Sequence, residues 1–74
     1  MKDNEVILSR LSMLEEYLKI LKKIREMDRE EFKTNIEKRL LAERCLHLSI
    51  ECCIDIGNHI ISVKGFRRPE TYKD

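Results

Sequence analysis

The sequence has no tryptophan, one proline, two glycines and an aromatic content of only 5%. So few turn-forming residues cannot punctuate the many short strands of a sandwich or barrel. Charge of one sign is also missing in excess: 15 Lys and Arg stand against 14 Asp and Glu, for a formal net charge of +1. A chain so balanced has no global basic field to hold a nucleic acid, although a local patch is still allowed. Long apolar runs are absent as well. The most apolar window, Cys45 to Val63, is interrupted by His47, Glu51, Asp55, Asn58 and His59, which excludes a membrane span. No apolar stretch near Met1 resembles a secretory signal, so the three cysteines read as reduced thiols of a cytoplasmic protein.

What remains is rich in Leu, Ile, Glu, Lys and Arg, 42% apolar and 39% charged, which is the make-up of an all-α chain. Its 74 residues allow one domain, close to the size at which a single core barely suffices. Ile7, Leu11, Leu14, Leu18 and Leu21 recur at helical spacing, with Val6, Met13, Tyr17, Ile20, Ile24 and Met27 forming a second seam beside them. This predicts a helix capped by Asp3 or Asn4 and running over about residues 4–27. Asp28 with Glu31, and Thr34 with Glu37, each fit a capping box. They predict a short helical turn around 29–33 and then a main helix over about 35–64. Gly57, in the middle of that helix, suggests close approach of another backbone, because Gly costs about 1 kcal/mol there relative to Ala. Gly65 suits a helix C-cap, and Pro69 suits the first position of a third helix, cut off where the sequence ends.

On a helical wheel the apolar arcs of both long helices span roughly 200°, twice the stripe that an ordinary surface helix needs. Each helix can offer the other about half its arc. The expectation is an up-and-down bundle in which a two-helix hairpin pairs with a second copy to make four helices.

The segment "AERCLHLSIECCIDIGNHIISVKGFRRPETYKD" resembles the HepT family, a branch of the HEPN helical domains. The shared pattern runs through Glu51, Asp55, Gly57, His59, Ile60 and Ile61, then Gly65 and Pro69. The first helix and the "REEF" element at residues 29–32, before the main helix, are also similar. This resemblance implies a homodimeric helical bundle, a ribonuclease toxin of a toxin–antitoxin pair, and a small nucleotidyltransferase antitoxin of the MntA type. It also implies a catalytic Arg-x4-His-x-Tyr on a later helix, where Arg and His act on RNA and the antitoxin adenylylates the Tyr. No Arg-x4-His occurs in these 74 residues: His47 is three positions after Arg44 and eight after Arg39. The chain is therefore expected to hold no catalytic residue, to be inactive alone, and to meet RNA only with the missing half present. A non-enzymatic module that binds a nucleotidyltransferase is the other reading.

Three constellations stand out. Glu51, Asp55 and Asn58, with His59 beside them, form a polar stripe that reads most simply as a solvated or bundle seam. On the family resemblance, the same stripe would line a cleft or the dimer seam. Lys64, Arg67 and Arg68 gather at a helix C-terminus, where cations are favoured by the dipole, with phosphate or partner contact as the functional alternative. Cys45, Cys52 and Cys53 read as buried structural thiols. Adjacent helical cysteines point about 100° apart and suit neither one tetrahedral ion nor a disulfide, so no metal and no cofactor are expected.

Overall fold

The computed structural model describes residues 2–65, with side chains described from residue 4 onward. It is all-α: α1 (Lys2–Arg25), α2 (Arg29–Thr34) and α3 (Ile36–Lys64), and no strand occurs among the described residues. The third helix expected from Pro69, together with Arg67 and Arg68, lies outside them.

The ends of the helices differ in detail from the expected ones, each for a local reason. α1 stops at Arg25, not Met27, because the Glu26 and Met27 N–H groups bond three residues back, to Lys23 and Ile24 carbonyls at 3.2 and 3.0 Å. Such tightened bonds are common in the last turn of a helix. Asp28 caps α2 in extended backbone, its Oδ2 accepting from the Glu30 N–H at 3.2 Å. The partner is two residues on, so the reciprocal box with Glu31 is not the cap used. At α3 the cap is Asn35 instead of Thr34: Asn35 Oδ1 accepts from the Lys38 N–H at 3.1 Å. Thr34 is unavailable because its hydroxyl turns back to the carbonyls of Glu30 and Glu31, both at 3.2 Å. Gly65 ends α3 in the left-handed region at φ 73°, its N–H reaching the Ile61 and Ser62 carbonyls. A side chain at that φ would be strained, so glycine is required there.

The two long helices lie side by side as an antiparallel pair, and α2 packs on the start of α3. Val6, Arg10, Met13, Tyr17, Ile20 and Ile24 recur every three or four residues on α1, and Leu41, Cys45, Leu48, Cys52, Asp55 and His59 do so on α3. These are the facing rows of a coiled-coil-like seam. Among the described residues, only Ile24, Cys45 and Cys52 are buried. The reason is architectural. A body of 48 × 28 × 15 Å is one layer of helices, whereas a domain core forms between two layers.

Heptad geometry also gives that layer two unlike sides. One carries Ser9, Glu16 and Lys23 from α1 with Arg44, Glu51 and Asn58 from α3. The other carries Leu11, Leu14 and Leu18 with Leu46, Cys53 and Ile60. Leu11, Leu18, Leu46 and Ile60 are all exposed on that second side. The wide apolar arcs inferred above are therefore real and largely uncovered in the single chain.

Two expectations need correction. Cys53 is exposed, so only two of the three thiols are buried. Gly57 does not make room for another part of this chain, since a Cβ built there meets nothing within 4 Å. Within the hairpin, Gly57 borders open space.

Candidate functional site

On the polar side, α1 and α3 flank a cleft of about 540 Å³ lined by Arg10, Met13 and Tyr17 opposite Glu51, Cys52, Asp55 and Asn58. The helical repeat puts Glu51, Asp55 and Asn58 on successive turns, so all three expected stripe residues meet this cleft. Their side chains are not equivalent. Arg10 Nε–H donates to Asp55 Oδ2 at 2.6 Å, a side-chain hydrogen bond between the two long helices. Arg10 also places Nη1 3.5 Å from Met13 Sδ, one turn along its own helix. His59 Nε2 lies 3.7 Å from the second oxygen of Asp55, close enough for an ion pair only when the ring is protonated.

Glu51 is drawn the other way. Its Oε1 lies 3.0 Å from His47 Nε2, one turn back on α3, and both side chains are mostly exposed. The expected stripe thus divides into an inter-helix ion pair at Asp55 and a surface pair at Glu51. Lys64 sits in the last turn of α3, exposed, where its charge complements the helix dipole.

Arg10 is the residue that inspection of the stripe alone misses. Its signal lay in the pattern of α1: it is the one charge in the row Val6, Arg10, Met13, Tyr17, Ile20, Ile24. A charge in a seam position asks for a partner on the facing helix.

Chemically, the cleft holds one carboxylate already paired with a guanidinium. Such an arrangement fixes two helices in register and presents polar groups to an incoming surface. Among the described residues no group of three or more His, Cys, Asp or Glu is placed to hold a metal ion, and no helix is long and apolar enough to cross a membrane.

A model of the family described as "Ribonuclease HepT-like" matches residues 14–73. The chain is 35% identical over 57 residues to the tRNA nuclease HepT of Aphanizomenon flos-aquae (strain 2012/KM1/D3), a match covering 77% of this chain and 39% of that relative. The chain therefore spans well under half the length of the curated relative it matches. No solved structure matches. The family match runs from the middle of α1 through α2 and the whole of α3, so it takes in every polar residue of the cleft except Arg10, and on that ground the chain belongs to the HepT-like ribonuclease family.

Proposed function

We propose that this chain is the dimerising amino-terminal part of a HepT-like ribonuclease toxin, and that it supplies scaffold and not the cleavage chemistry. The observation that carries this reading is the family match over residues 14–73, set beside the absence of any Arg-x4-His in the 74 residues. The cleft supports it. Asp55 is engaged by Arg10 and lies 3.7 Å from His59, and Glu51 lies beside His47, so the stripe's carboxylates are held by neighbours within the hairpin.

In this reading the polar stripe Glu51, Asp55, Asn58 and His59 lines the seam against which the nuclease half of the protein packs. Lys64, with Arg67 and Arg68, gives a basic end suited to RNA phosphate or to an acidic partner surface. The toxin's natural counterpart is a nucleotidyltransferase antitoxin of the MntA type, and both act in the cytoplasm. Because the relative's name specifies tRNA, tRNA is the first substrate to test.

The test is cleavage of tRNA by the purified 74-residue chain, with a full-length HepT-like relative run in parallel. The relative is expected to cut and the chain to leave tRNA intact. Cleavage by the chain that disappears in Glu51→Gln or Asp55→Asn would overturn the scaffold reading. The missing motif also favours a second reading, a non-enzymatic module that binds a nucleotidyltransferase. It gains support if the chain alone co-purifies with that enzyme.

A further inference from the structure

Arg10 touches two partners at once, and the second of them has no part in the reading above. Its Nε–H holds Asp55 of α3 at 2.6 Å, while its Nη1 lies 3.5 Å from Met13 Sδ on the next turn of α1. We propose that Met13 is a peroxide-sensitive modification site, whose sulfoxide oxygen takes the Arg10 guanidinium and tightens the Arg10–Asp55 link between the two long helices.

Three observations carry this. The first is access. Met13 is 37% exposed and lines the polar cleft, so its side chain is open to a small peroxide arriving from water.

The second is chemistry. A thioether sulfur is only a weak acceptor. Its lone pair attacks one oxygen of hydrogen peroxide, the O–O bond breaks, and the other oxygen leaves as water. Sulfur is thereby oxidised by two electrons and the peroxide is reduced. The sulfoxide oxygen is a polar acceptor one bond beyond the sulfur, within reach of the Nη1 already beside it. A hydrogen bond from a charged guanidinium is about twice as strong as one between neutral groups.

The third is geometry. The two contacts use different nitrogens of a group that carries several N–H donors, so holding the sulfoxide does not release Asp55. It fixes the arginine from both directions. Sulfoxides usually disrupt the apolar contacts that methionine makes. Beside Arg10 the new oxygen meets a donor, so oxidation strengthens the hairpin where it would ordinarily weaken it.

The test is urea unfolding of the 74-residue chain before and after brief treatment with dilute hydrogen peroxide, at one chain concentration. A Cys53→Ser background removes the exposed thiol, and peptide mass spectrometry locates the sulfoxides. Met13 should convert in the folded chain and the unfolding midpoint should rise. Methionine sulfoxide reductase should return the midpoint to its starting value. Met13→Leu should abolish the rise, which assigns it to this sulfur and not to Met1 or Met27. In Arg10→Ala the same oxidation should leave the midpoint unchanged or lower it. Arg10→Lys, which lacks the second donor nitrogen, gives the same comparison if the alanine variant does not fold. A Met13 that stays reduced in the folded chain would overturn the proposal. So would a midpoint that stays level or falls on oxidation, or a rise just as large without Arg10.

Discussion

Arg10 and Asp55 are 45 residues apart in sequence and 2.6 Å apart in space, where a single guanidinium N–H ties α1 to α3. Their side chains are 38% and 37% exposed, so water and salt screen the pair. Replacing either by Ala should cost up to about 1 kcal/mol, the upper range for exposed ion pairs. A double-mutant cycle in urea should give a coupling that shrinks when NaCl is raised. A coupling indistinguishable from zero at low salt would show that the contact does not register the helices.

The His47–Glu51 pair sets the contrast. It lies within one helix, and its side chains are 62% and 59% exposed. Glu51→Ala should change stability by about 0.5 kcal/mol or less, the size of an exposed one-turn pair. A loss larger than that from Asp55→Ala would mean that Glu51, not Asp55, anchors the cleft.

Asn35 alone offers a side-chain cap to the longest helix. Asn35→Ala should remove about 1 kcal/mol, while Asn35→Asp should retain the cap. Thr34→Ala should matter less, because its hydroxyl serves carbonyls of α2 and none of the orphan N–H groups of α3. Thermal unfolding followed by circular dichroism distinguishes the two positions. A larger loss at Thr34 would restore the Thr34–Glu37 box as the operative cap.

Most of the architecture was legible in the sequence because both long helices announce themselves by period, and Gly65 by the need for positive φ. The choice of Asn35 over Thr34 was not, since both are good caps and only the preceding helix decides which side chain is already engaged. The stripe Glu51, Asp55, Asn58 could be placed on one face from spacing alone. Its division between Arg10 and His47 could not, because that depends on which residue of α1 comes level with Asp55 in the antiparallel pair. Cys53 was misjudged for a related reason. Cysteine is usually buried, but one layer of helices has too little interior for three.

Cys45 and Cys52, at 3% and 4% exposure, form the tightest part of the core with Ile24. Both should resist thiol reagents in the folded chain and react fully in denaturant. Cys52→Ser should destabilise more than Cys53→Ser, as it places a hydroxyl in the helix seam. Equal native reactivity of all three thiols would contradict the packing of α1 on α3.

The most direct test of the central claim, that one layer of two helices needs a cover for its apolar side, is sedimentation equilibrium of the 74-residue chain at low micromolar concentration. The expected result is a single species of about twice 8.9 kDa. A helical, cooperatively unfolding species of 8.9 kDa, with Leu11, Leu18, Leu46 and Ile60 facing water, would contradict it.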